Sequence, residues 1–178
     1  MTQQVLVGYG TRYGSTAEVA ERIGKVLREN GLTVRIVDIK EEDPPSDLSD
    51  FDLVIVGSGI LAGRWTKEPI EFLKKNKEIL AEKDVALFVV CAYAANPETR
   101  HDAFENYLVA VGKDLDPITP ISLGFFGGVI DFSKYNFAIR ALMKRMVKSN
   151  AEDREVSEYM DLRDWEEIES WAKSLVTE

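Results

Sequence analysis

The residues best suited to chemistry cluster near the start of the chain. They are Thr11, Arg12, Gly14, Ser15 and Thr16, in the run VLVGYGTRYGST over residues 5–16. An apolar stretch, Val5-Leu6-Val7, stops at Gly8 and Gly10; hydroxyls and a glycine follow, and a helical pattern begins at Ala17. A strand, a tight loop and a helix start aim backbone N–H groups and the positive end of a helix dipole at one point, which favours an anion. The hydroxyls of Thr11 and Thr16 add donors of their own. The spacing excludes two common phosphate loops. Tyr13 stands where the third glycine of G-x-G-x-x-G belongs, counted from Gly8, and no lysine completes G-x-x-x-x-G-K-[ST]. What remains is T-x-x-G-x-T with Arg12 as its one cation, a pattern suited to a small bound phosphomonoester rather than a triphosphate with Mg²⁺. The same residues also allow an ordinary strand-to-helix turn in which Ser15 and Thr16 cap the helix and Glu18 closes a Ser-x-x-Glu box.

The rest of the chain must hold that loop. Residues 17–30 read as a helix whose Val19, Ala20, Ile23, Val26 and Leu27 share a face, stopped by Gly31. A second strand spans 32–39, and an acidic loop with Pro44-Pro45 leads to a third strand at 53–56, ending in Gly57-Ser58-Gly59. A loop at 60–66 precedes a helix over 67–80, then a strand at 85–90 and a loop at 91–97. Thr99 or Asp102 is the expected cap of a helix running to about 111, and a fifth strand spans 118–126, weakened by Pro120. Helices at 133–149 and 162–177 close the chain. This alternation predicts an α/β fold in one domain over residues 1–178. The five strands form a doubly wound parallel sheet in the order 2-1-3-4-5, with an extra helix after the fifth strand.

Ligands in such sheets bind beyond the carboxyl ends of the strands. The loops there are 11–16, 58–66 and 91–98, and two carry a large aromatic, Trp65 and Tyr93. A phosphate loop flanked in this way suits a phosphorylated flat ring, and flavin mononucleotide (FMN) is the natural candidate. The expected cofactor contacts are Thr11, Arg12, Tyr13, Gly14, Ser15 and Thr16 from the first loop. Ser58, Gly59, Ile60, Leu61, Ala62, Gly63 and Trp65 follow from the second, and Cys91, Ala92, Tyr93 and Ala94 from the third. Trp65 is expected on the ring face, with a packing role as its alternative. Cys91 reads as a buried small hydrophobe, and no side chain is singled out as a general base.

Bulk properties bound the function. The chain has 178 residues, 45% hydrophobic and 30% charged, as soluble globular proteins do. A net charge of −9 argues against nucleic acid as a partner. A single cysteine, Cys91, excludes an intrachain disulfide and suits a reducing compartment; a single histidine, His101, argues against a His-based metal site, and no metal is expected. No signal segment precedes the first strand, and no apolar run approaches the ~18 residues of a membrane span. The expectation is a soluble, cytoplasmic protein.

Residues 133–148 depart from the acidic background. They hold Lys134, Arg140, Lys144, Arg145 and Lys148, no Asp or Glu, and an apolar stripe of Tyr135, Ala138, Ile139, Leu142 and Met146. A basic amphipathic helix can lie on an anionic membrane surface, dock an acidic protein, or bind the propionates of a porphyrin. Alternatively its stripe packs on the sheet and its charges are solvated.

The T-x-x-G-x-T loop resembles the phosphate loop of flavodoxins, with Tyr13 in place of their third hydroxyl. A closer resemblance is to the menaquinone-dependent protoporphyrinogen dehydrogenase branch of flavodoxin-like enzymes. It rests on TRYGST at 11–16, VGSGILAGRW at 56–65, FSKYNFAIRALMKRMVKS at 132–149 and DWEEIESWA at 164–172. The resemblance implies an FMN flavoprotein of heme biosynthesis that takes electrons from a reduced organic substrate such as a porphyrinogen and gives them to a quinone; the basic segment over 133–148, read by itself, would bring such a protein to the inner face of the cell membrane. Its rivals are a flavodoxin-type carrier moving electrons between redox proteins, and a scaffold without flavin.

Overall fold

Strand periodicity builds the sheet. In β1 (Gln4–Gly10), Val5 and Val7 are buried under one layer of helices and Leu6 under the other. The computed structural model describes residues 2–149 and 157–176, without the side chains of Met146 and Ser149. β1 pairs in parallel with β2 (Thr33–Asp38) and with β3 (Leu53–Leu61). Beyond β3 lie β5 (Asp84–Val90) and β6 (Ser122–Phe126), giving the order β2-β1-β3-β5-β6 that the sequence predicts. A short β4 (Arg64–Trp65) folds back on β3 through Ala62 and Gly63, both at positive φ, as a two-residue hairpin turn requires.

Helices α1 (Ser15–Glu29) and α7 (Trp165–Ser174) cover one face, around Val7, Ile23, Ile55, Phe88 and Ile168. The other face carries α2 (Lys67–Lys75), α3 (Lys77–Leu80), α4 (Pro97–Phe104) and α5 (Ala110–Asp114), around Leu6, Val54, Leu73, Leu87 and Leu108.

Several boundaries differ from the expected ones, each for a local reason. The helix over 67–80 breaks at Asn76, whose backbone N–H and side-chain amide both donate to the Phe72 carbonyl. The cap of α4 is Asn96, which accepts from the Glu98 N–H with Pro97 in the first turn, rather than Thr99 or Asp102. β6 starts at Ser122 rather than 118, after Pro120. The last helix starts at Trp165, where Asp164 accepts from the Glu166 and Glu167 N–H groups, and it ends at Ser174, short of the expected 177.

After β6 the chain makes an inserted unit. β7 (Val129–Asp131) pairs antiparallel with β8 (Tyr159–Asp161), and α6 (Phe137–Ser149) lies between them. α6 starts four residues later than expected because Phe132–Lys134 form a separate 3₁₀ turn, capped by Asp131 accepting from the Ser133 N–H and O–H. The Leu162 N–H donates to the Gly128 carbonyl at 2.9 Å, so the unit leaves and rejoins the domain at one place.

Candidate functional site

β1 delivers the chain to the first loop through Gly10. A Cβ there would lie 2.2 Å from the Thr66 hydroxyl oxygen and 2.8 Å from the Pro69 ring. The loop then closes on itself: the Thr11 hydroxyl oxygen accepts from the Gly14 N–H at 3.0 Å. Gly14, at φ 98°, is the N-cap of α1, and no side chain caps the helix. Ser15 is therefore the first helical residue, and the capping box read as an alternative is not formed. The first-turn amides are left facing outward for another acceptor. Because Thr11 accepts from Gly14, its own O–H proton stays available to an anion.

A cleft of about 80 Å³ opens beside this loop. Thr11, Arg12, Tyr13, Ser15 and Thr16 line one wall, and Thr16 is only 1% exposed. The end of β3 contributes Gly59, Ile60 and Leu61, joined by Thr66; the end of β5 contributes Val90, Cys91 and Ala92. The third wall comes from the inserted unit: Gly128, Val129, Ile130, Tyr135, Ile139 and Met143. Arg12 is the one charged residue among the described lining residues. Uncapped amides, three hydroxyls, one cation and no facing carboxylate fit a phosphomonoester.

Other expected contacts stand behind the cleft or beside it. Ser58 is fully buried; its hydroxyl donates to the Gly59 carbonyl at 2.8 Å and meets the Thr66 hydroxyl at 2.9 Å. It braces the second loop rather than lining the cleft. Trp65, expected on the ring face, is instead buried in the core, its indole N–H donating to the Tyr107 carbonyl at 2.6 Å. The structure thus gives it the packing role, because its strand turns the indole toward the helical layer. Ala62 and Gly63 form the hairpin tip, Gly14 contributes backbone, Ala94 is buried, and the Tyr93 ring lies beside Tyr107 with centroids 6.3 Å apart. Burial pushes the Cys91 thiol up to about 11, so it faces the cleft neutral and unreactive.

The wall from the inserted unit is absent from the sequence-derived contact set. Its signals were the Gly127-Gly128 pair at the carboxyl end of β6 and the apolar stripe of residues 133–148. The stripe is turned relative to expectation. Tyr135, Ile139 and Met143 face the cleft, Ala138 and Leu142 are exposed, and the Met146 side chain lies outside the described residues. The basic charges are also divided. Arg140 and Lys144 each bond Glu158 at 2.7 Å, and Lys144 hydrogen bonding holds that carboxyl below its usual range. The Lys134 ammonium donates to the Tyr13 carbonyl at 3.2 Å, and the Tyr13 and Tyr135 rings meet edge to face at 4.8 Å. Tyr13, where a third hydroxyl would stand, thus joins the inserted unit to the phosphate loop. The outer face of α6 carries Phe137, 89% exposed, and Leu142, 61% exposed, with Arg145 and Lys148 also exposed.

Among the described residues no group of His, Cys, Asp or Glu could hold a metal ion, and no helix is long and apolar enough to cross a membrane.

Comparison with known proteins bears on the same site. Residues 6–157 match the family model described as a flavodoxin domain. The chain is similar to the quinone-linked protoporphyrinogen IX dehydrogenase of Escherichia coli strain K12, at 22% identity over 172 residues, covering 97% of this chain and 94% of that one. Its fold is similar to a flavodoxin of Streptococcus pneumonia TIGR4, with TM-score 0.54, 17% identity and 97% of both chains covered. It is also similar to a flavoprotein of Lactobacillus acidophilus in complex with FMN, with TM-score 0.51 and 17% identity over 70% of this chain and 93% of that one. The chain belongs to the flavodoxin domain family, and FMN is the cofactor that goes with that family and with this cradle.

Proposed function

We propose that the chain is an FMN-dependent oxidoreductase of the protoporphyrinogen dehydrogenase kind, oxidising a reduced organic substrate and passing the electrons to a quinone. The observation that carries this reading is the inserted unit. It walls the cleft with Tyr135, Ile139 and Met143 while turning Phe137, Leu142, Arg145 and Lys148 outward. A plain electron carrier, which meets its partners at an exposed cofactor edge, has no need of such a wall. The nearly full-length similarity to the Escherichia coli enzyme supports the same reading.

FMN, when bound, supplies the redox chemistry, and the protein supplies binding, orientation and surroundings. Thr11, Ser15, Thr16 and the first-turn amides of α1 would hold the phosphate, with Arg12 beside them. The backbone around Gly59, Ile60, Leu61, Cys91 and Ala92 would meet the ring edge. Tyr135, Ile139 and Met143 would screen the ring from water on that side. No histidine or carboxylate is among the described lining residues, and no side chain there is singled out as a general base.

The outer face of α6 would seat this otherwise cytoplasmic protein on the anionic inner leaflet of the cell membrane, beside a lipid-dissolved quinone. Anaerobic mixing with a porphyrinogen should bleach the flavin absorbance, and menaquinone should restore it. A flavin that stays oxidised with every porphyrinogen refutes the enzyme reading. Sedimentation with anionic vesicles should fall in the Arg145→Glu, Lys148→Glu variant; unchanged sedimentation refutes the membrane reading.

A flavodoxin-type carrier is the second reading, favoured by the net charge of −9 and by the likeness to the Streptococcus pneumonia flavodoxin. Such a surface would steer docking on a basic redox protein. The carrier would accept electrons from a protein partner and ignore porphyrinogens.

A further inference from the structure

The loop that cradles the phosphate opens directly into a helix whose first turn contains one acid, Glu18. On a helix, side chains lean back toward the N-terminus, so a carboxylate in the first turn tends to lie over the open amides. The dipole also attracts it there. In this chain that tendency would set Glu18 against the phosphate, both as a competitor for the amides and as a like charge.

The structure shows where Glu18 goes instead. Arg163, between β8 and α7, donates through Nη1 to Glu18 Oε2 at 2.6 Å. Its Nε and Nη2 donate to the two oxygens of Asp161 at 2.8 and 2.6 Å. The Arg163 side chain is only 5% exposed, and its guanidinium lies 4.6 Å from the centroid of the Trp165 indole. Arg22, one turn further along α1, lies at the same distance from that indole. Glu18 is therefore drawn sideways toward the Trp165 cluster. We infer that Arg163 is a positioning residue for the flavin phosphate, acting through Glu18, and that it sets the preference for FMN over riboflavin.

A merely structural role for Arg163 would weaken binding of both flavins alike. An electrostatic role acting through Glu18 is selective for the phosphate and reversible at Glu18. The test is fluorescence titration of the full chain, stripped of flavin, with FMN and with riboflavin in parallel. Arg163→Gln should weaken FMN by about three- to tenfold, the effect of one charge on a dianion about a helical turn away, and leave riboflavin within twofold. Adding Glu18→Gln to that variant should restore FMN affinity, and raising the salt toward ~0.5 M should shrink the deficit. Equal losses for both flavins, or no rescue by Glu18→Gln, overturn the inference.

Should Arg163→Gln fail to fold, Glu18→Gln in the parent decides. FMN should bind as tightly or up to about threefold more tightly, with riboflavin unmoved; weaker FMN binding overturns the inference. The inference rests on the FMN cradle. A parent that binds no FMN refutes the cradle itself, whereas FMN binding with unchanged selectivity in the variants refutes only the role of Arg163.

Discussion

Replacing Thr16 with valine removes a hydroxyl and keeps the branched shape of a residue that is 1% exposed. The substitution therefore isolates one donor of the cradle from the packing around it. A hydrogen bond to a charged group contributes about 1.5–3 kcal/mol. At ~1.4 kcal/mol per tenfold in affinity, Thr16→Val should weaken FMN binding by roughly 10- to 100-fold. Thr11→Ala removes a second donor and also the acceptor that holds the Gly14 N–H at 3.0 Å, so the loop relaxes as well. The double variant should lose on the order of 10²- to 10⁴-fold if the two effects add. Flavin fluorescence, quenched on binding, gives the dissociation constants, and riboflavin is the control because it lacks the phosphate. Riboflavin affinity should stay within a few-fold of the parent. If the double variant keeps FMN within threefold of the parent, the phosphate is held elsewhere and the cradle described above is not the site.

Other perturbations test other parts of the structure. Tyr135→Ala removes the 4.8 Å ring contact with Tyr13 and should speed FMN release about three- to tenfold in stopped-flow trapping; an unchanged release rate means the inserted unit does not retain the cofactor. Trp65→Phe leaves the Tyr107 carbonyl without its 2.6 Å donor and should cost about 1–3 kcal/mol in denaturant unfolding, with FMN affinity within twofold; lost FMN binding would return Trp65 to the site. Arg163 hydrogen bonding holds the Asp161 carboxyl below its usual range. A carboxyl depressed on folding stabilises at pH above its unfolded value of ~3.9 and ceases to do so as pH falls through the folded value. Asp161→Asn should therefore lower the thermal midpoint at neutral pH, and the gap to the parent should close as the pH is taken below ~4; a gap that persists into acid contradicts the pairing.

The order of the sheet was legible because its central strands are nearly unbroken apolar runs: Val5-Leu6-Val7, Leu53-Val54-Ile55-Val56 and Val85–Val90 are buried on both faces. The turn between β1 and α1 was legible because it depends on local residues, the Thr11 hydroxyl and the left-handed Gly14. The burial of Trp65 was not legible because the hairpin through Ala62 and Gly63 decides which way the indole points, and periodicity does not reach across a reversal of two residues. The inserted wall was hidden for a different reason. Its contacts with the loop join residues more than a hundred positions apart, such as Lys134 with Tyr13. The stripe on α6 carries alternatives on adjacent faces, and only the packed structure selects Ile139 and Met143 over Ala138 and Leu142. The ion pairs of Glu158 likewise remove Arg140 and Lys144 from a patch that composition presented as uniform.

The hydrogen bond from Leu162 to Gly128 has a consequence for modularity. Because departure and return are adjacent, the intervening excursion should be removable without shifting the register of any strand in the main sheet. A shortened chain bridging Val129 to Asp161 by a tight turn should still turn yellow with pigment. Any task it then fails to perform belongs to the inserted unit and not to the main sheet and its helices.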